Sequence, residues 1–384
     1  MRWRHVVMFV LAGSAAVLIV TYGAGKQAVL PASNMAAVLG TGAENGYAHA
    51  DGPRRFRFPR DFGPHRAFKT EWWYFTGNLD SRHGQRFGYE LTLFRFSLTP
   101  HAIRSPSPWS TNQAYVAHFA ITDPSRKRFH FFEQSARGAI GLAGAQAEPF
   151  RVWVYNWSVQ AVTGAEWPWK LHAAAKNVDL NLSLAPLTAP VLQGDHGLSR
   201  KGPGPGNASY YYSIPRLDTR GTLSLNGRLF SVSGLTWMDR EWSTSALAPD
   251  EVGWDWFGLQ LSDGSDLMFY RLRLKNGATS PFSLGSIVGR HGHVTPLSKA
   301  EVRIRVLGHW RSPHGGTYPA RWRLSVRREH LILDVTPMLA DQELDVGVRY
   351  WEGAVNVQGY RNGQPIRGRG YVELTGYASS ETRH

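Results

Sequence analysis

WWYFTGNLDSRHGQRFGYELTLFR, residues 72–95, reads as a strand, a polar turn containing Gly84 and a second strand. The chain repeats the pattern at 254–275 as WDWFGLQLSDGSDLMFYRLRLK. Aligned on the first tryptophan, Trp72 matches Trp254, Tyr74 matches Trp256 and Phe75 matches Phe257. Asn78 then matches Gln260, and Leu79 matches Leu261. With a turn one residue different in length, Tyr89, Leu91 and Leu93 fall opposite Tyr270, Leu272 and Leu274. The shared spacing predicts two related β units in tandem. Closing each unit into a barrel would remove its sheet edges and leave room for one apolar ligand.

The sequence between the copies is also strand-like. YVAHFAITD, KNVDLNLSLAP, VRIRVLGHW and RWRLSVRR alternate apolar and polar residues or carry short apolar runs. Asn-Gly at 226–227 and 362–363 marks hairpin turns. No helical pattern exceeds about three turns. GDHGLSRKGPGPGNASYYYS, residues 194–213, is predicted as a long loop covering an opening.

The 384 residues include no cysteine, so the fold stands without disulfides. A net charge of +14 raises the question of nucleic acid or anionic lipid. The basic residues alternate with apolar ones along strands, and no groove-reading motif accompanies them, which argues against nucleic acid. MRWRH followed by VVMFVLAGSAAVLIV and TYGAG reads as an export signal over residues 1–25. Left uncleaved, the run is about long enough to anchor the protein in the inner membrane. Residues 26–56 open as an Ala/Gly/Ser-rich linker. A periplasmic or secreted location is expected.

TEWWYFTGNL, SGLTWMDREWSTSAL, GWDWFGLQL, YWEGAVNVQGY and GRGYVELTGY together resemble the carotenoid 1,2-hydratase/AttH-like family. Its members are often called predicted secreted hydrolases or lipocalin-like proteins. The resemblance covers nearly all of residues 57–378 and implies two tandem lipocalin-like antiparallel β-barrels, all-β, at 57–245 and 246–380. It also implies an ABC transporter permease as a possible partner. Some relatives hydrate acyclic carotenoids, and distant ones steer the cyclisation of polyenes.

The candidate acids are Asp239 and Glu241 of the MDREW stretch and Glu71 of TEWWYF. Along a strand, Trp237, Asp239 and Glu241 share one face while Met238, Arg240 and Trp242 share the other. An acid among indoles is disfavoured in its charged form, and alkene protonation needs such a neutral carboxyl. The competing structural assignment is a rim ion pair, with Arg240 or another arginine neutralising the acids. Glu71 has the same two alternatives. The candidate ligand-facing side chains are Trp73, Tyr74, Trp237, Trp242, Trp254, Trp256 and Tyr270, with His118 and Tyr211. No metal or cofactor is expected, since HGH at 291–293 is too short for a metal site. Neither a GxSxG elbow nor HExxH is present to support hydrolysis. Three functions stay open: an exported carrier of an apolar or lipidic molecule working with a transporter, an acid-catalysed lyase or isomerase of a polyene or terpenoid, and an envelope scaffold.

Overall fold

The computed structural model describes residues 33–34, 44–162, 165–245 and 247–378. The export segment at 1–25 lies outside them. Strands β2 to β24 form two antiparallel sheets, β1 (Ser33–Asn34) adds a short parallel strand beside β23 of the second, and the only helical turns among the described residues are two of three residues each.

The first sheet runs from Thr70 to Ser243. It contains β2 (Thr70–Ser81), β3 (Arg86–Ser97), β4 (Gln113–Asp123), β5 (Arg128–Arg137), β6 (Ala143–Gln146) and β7 (Arg151–Val154). It continues with β8 (Trp157–Ala161), β9 (Trp169–Ala175), β10 (Val178–Pro186), β11 (Val191–Leu192), β12 (Leu198–Arg200), β13 (Ala208–Leu225) and β14 (Arg228–Ser243). The second sheet holds β15 (Glu251–Leu261), β16 (Asp266–Leu274), β17 (Leu284–Val288), β18 (Val294–Ser298) and β19 (Val302–Arg311). β20 (Thr317–Val326), β21 (Leu331–Pro337), β22 (Glu343–Asp345), β23 (Val348–Arg361) and β24 (Gln364–Leu374) complete it.

Both sheets follow one path. The first strand lies in the middle, its successors extend to one side, and the last strand returns to pair on its other side: β14 on β2, β24 on β15. The first sheet closes into a nearly complete barrel, with Phe119 of β4 reaching Trp157 of β8 at 5.6 Å between ring centroids. The second curls over its own core, where Phe257 meets Trp322 at 5.7 Å. Asn226-Gly227 and Asn362-Gly363 are two-residue hairpin loops with positive φ at both positions (53° and 76°, 50° and 77°), as their sequence predicts. The segment 194–213 departs from the expected loop. Leu198–Arg200 is strand β12, and the tyrosine run 210–212 lies inside β13. Residues 44–56 pack on the first barrel, with Ala50 buried and Phe56 against Trp242.

The hairpin repeat is real, but its second strand is shifted from the sequence alignment. Asn78 pairs with Gly88, and its counterpart Gln260 pairs with Asp266. The second hairpin is therefore four residues shorter, and Thr92, not Tyr89, is the counterpart of Tyr270: Thr92 pairs with Tyr74, Tyr270 with Trp256.

The two sheets dock through these hairpins. Tyr74 meets its counterpart Trp256 at 5.2 Å between ring centroids. The amide of Asn78 donates to the Gly370 carbonyl at 3.0 Å, and that of Gln260 donates to the Pro215 carbonyl at 2.6 Å. Gly88 sets the approach: a Cβ there would stand 2.4 Å from the Ala354 Cβ. Gly88→Ala is expected to cost about 1–3 kcal/mol by overpacking. Urea unfolding checks it, and Ala354→Gly in the same chain should restore most of the loss. A double variant no better than the single one would mean that this contact does not limit the docking.

Candidate functional site

Alternation along β2, β14 and β15 divides their side chains between the sheet interiors and the seam. Trp73, Phe75, Met238, Trp242, Phe257 and Leu259 fill the interiors. Tyr74, Trp237 and Trp256 face the seam, packed with Tyr211 and Tyr270. A cavity of about 60 Å³ lies there, with Trp72, Tyr211, Asp239, Trp254, Trp256, Tyr270 and Glu373 among its lining residues. That space has room for several waters. A larger molecule must displace the wall.

Asp239 is buried and accepts three hydrogen bonds from neutral donors. Ser213 Oγ donates at 2.6 Å and the Trp237 indole at 2.7 Å, both to Oδ1, and Tyr211 OH donates at 2.6 Å to Oδ2. Burial drives its pKa up, these bonds pull it back, nearby Glu241 adds to the rise, and the outcome is about 7. The Trp256 indole donates at 3.0 Å to Tyr211 OH, which makes a chain Trp256–Tyr211–Asp239. Glu241 pairs with Lys201 at 3.1 Å, and the ammonium lies 4.0 Å from the centroid of the Tyr270 ring. Burial works against the charge on Lys201, but Glu241 more than compensates and its pKa is raised.

Glu373 on β24 is the further acid of the cavity. Burial raises its pKa, the Trp254 indole bond opposes that, the negative charges of Asp239 and Glu241 raise it again, and it reaches about 8. Behind it lie two more buried carboxyls, Glu352 and Glu90. Tyr74 OH donates to Glu352 and Thr92 to Glu90. Burial first, then the neighbouring carboxyls, hold both well above the usual carboxylate range. Glu373 and Glu352 face each other across β24 and β23.

Glu373 went unassigned from sequence, although GRGYVELTGY contains it. The signal lies in the repeat carried to the closing strands. Asp239 of β14 pairs with Tyr74, and Glu373 of β24 pairs with Trp256, the counterpart of Tyr74. The two acids therefore occupy equivalent places in the two sheets.

Glu71, a predicted catalytic acid, lies elsewhere. It is fully buried inside the first barrel, bonded by Arg95 and Arg240 and by the His65 backbone amide. Burial would raise its pKa, but the two guanidinium groups outweigh that and hold it well below the usual carboxylate range. Arg240 thus serves Glu71, not Asp239 or Glu241. Trp73 and Trp242 share that interior: Arg240 stacks on Trp73 at 3.9 Å, and Trp242 stacks on His65 at 3.7 Å. They face the barrel core because odd and even positions of one strand cannot both face the seam. His118 lies at the seam but outside the cavity lining, bonded to Tyr350 OH at 2.7 Å and Glu133 at 3.2 Å. Among the described residues no group of three or more His, Asp or Glu side chains is arranged to hold a metal.

The AttH-like family pattern matches residues 49–377. A crystal structure from Nitrosomonas europaea assigned to AttH superposes with a TM-score of 0.76 at 35% identity, covering 86% of this chain and 100% of that one. Kievitone hydratase of Fusarium solani subsp. phaseoli is 24% identical over 219 residues, 53% of this chain and 59% of that protein. The match therefore spans about three fifths of that relative. The crystal structure of kievitone hydratase from Nectria haematococca shares the fold, with a TM-score of 0.65 at 17% identity, covering 88% of this chain and 97% of that one.

Proposed function

The chain belongs to the AttH-like family, and from that membership and the seam cavity we propose an acid-catalysed hydratase-type enzyme. It adds water across a carbon–carbon double bond of an apolar small molecule, or removes water from an alcohol to form one. The observation that carries this proposal is a pair of cavity acids whose hydrogen-bond partners are neutral and whose walls are aromatic. A hydratase among the relatives supports the reaction type.

Glu373 is the proton donor. With a pKa of about 8 it is mostly neutral at pH 7, and it gives its proton to an alkene carbon. The faces of Trp254 and Trp256 stabilise the carbocation that forms. Water adds to the cation, and its surplus proton passes to the Asp239 carboxylate, directly or through Tyr211. Dehydration runs the same steps backwards. Export and a transporter partner stay with this proposal as expectations from the N-terminal segment and the family resemblance.

The test is a panel of isoprenoid and polyene alkenes incubated with the full chain in H₂¹⁸O. Mass spectrometry should find a product heavier by one labelled water. The rate should fall above pH about 8, where Glu373 loses its proton, and below pH about 7, where Asp239 gains one. Protein that binds panel members yet neither hydrates them nor exchanges their hydrogens with D₂O leaves the carrier function in place of the enzyme.

A further inference from the structure

We propose that the open end of the first barrel rests on an anionic lipid surface. The loop between β3 and β4 and the turn after β5 meet there around an open cavity of about 420 Å³. They expose Ile103 (47%), Trp109 (56%) and Ile140 (49%), with Leu98 (57%) at the start of the loop. So many large apolar side chains left in water at one end mark a contact surface. Tryptophan and isoleucine beside arginine suit the headgroup boundary of a bilayer.

Charge selects the partner. Arg66 lines the cavity and Arg104 lies in the loop. Arg151 stacks on the cavity residue Trp153 at 4.3 Å, and Arg137 holds the Thr111 carbonyl at 2.7 Å. The sequence has no acid between Glu90 and Asp123, and none between Glu133 and Glu148. Basic residues on such a face are drawn to phosphatidylglycerol-type headgroups.

The absence of cysteine allows one nitroxide label at a chosen site. Ile103→Cys and Trp109→Cys are labelled in the full chain, with Leu229→Cys at the far end of the barrel as reference. The protein is bound to vesicles of phosphatidylethanolamine and phosphatidylglycerol. Labels at 103 and 109 should be relaxed more by lipid-soluble oxygen than by a water-soluble nickel chelate, and the label at 229 should show the reverse. Arg66→Glu with Arg104→Glu should return the first two to water. Labels at 103 and 109 that stay in water on anionic vesicles overturn the proposal. So does spin–spin broadening without vesicles, which would make this face a contact between copies of the chain.

Discussion

Glu373→Gln is expected to cut turnover about 100- to 10,000-fold and leave the fold in place. Glutamine keeps the shape and still accepts the Trp254 indole bond, but it has no proton to give. Stability should move the other way. Glu373 keeps its proton up to about pH 8 in the folded chain, whereas an unfolded glutamate loses it near its ordinary pKa of 4.5. Between those values the unfolded state binds fewer protons, so stability falls as pH rises. Glutamine removes that slope, and the variant should be the more stable protein above neutrality. Asp239→Asn should also lose turnover, because the amide takes no proton from water. Labelled-water turnover and urea unfolding at two pH values give both readouts. A folded Glu373→Gln protein with unchanged turnover ends the role of Glu373 as donor.

Glu71→Ala is expected to lower the unfolding free energy by about 3–5 kcal/mol without touching the seam. The carboxylate is fully buried between Arg95 and Arg240. Arg95 also holds the Phe68 carbonyl at 2.7 Å, and Arg240 the Gly63 carbonyl at 2.7 Å. One acid thus secures two cations and the chain segment that closes this end of the barrel. Removing it leaves two guanidinium groups buried and unpaired. The pH dependence has a definite sign. The folded pKa lies below the ordinary 4.5, so this stabilisation is complete above that value and drains away as pH falls through the folded pKa. Wild type should therefore soften in acid more than the variant does. A loss below about 1 kcal/mol in urea unfolding at pH 7 would make the cluster dispensable.

The tandem architecture was legible because period-two alternation and two copies of one hairpin are local properties of the sequence. The division of faces in MDREW was legible for the same reason. Which face meets a core and which meets the other sheet was not. Trp73 and Tyr74 are neighbours with equal aromatic weight, and only docking sends one inward and the other to the seam. Glu71 paired with arginine because Arg95 and Arg240 stand on the two strands that flank β2, 24 and 169 residues later in the chain, beyond any local pattern. Glu373 hides in YVEL with no indole beside it in sequence. The Trp254 that bonds it arrives from β15, 119 residues earlier in the chain.

Tyr74 against Trp256, Asn78 and Gln260 reaching across in opposite directions, and Asp239 in the place of Glu373 describe a pseudo-two-fold axis. Homodimers are built around true axes of this kind, and there every substitution appears twice. In a single chain it appears once. A symmetric pair would have to carry identical acids on both sides of its axis, with identical neighbours and one common pKa. Here one half surrounds its acid with Ser213, Tyr211 and Trp237, and the other sets Trp254 and Glu352 around its own. Joining the halves in one polypeptide is what frees two equivalent carboxyls to differ, one as donor and the other as acceptor.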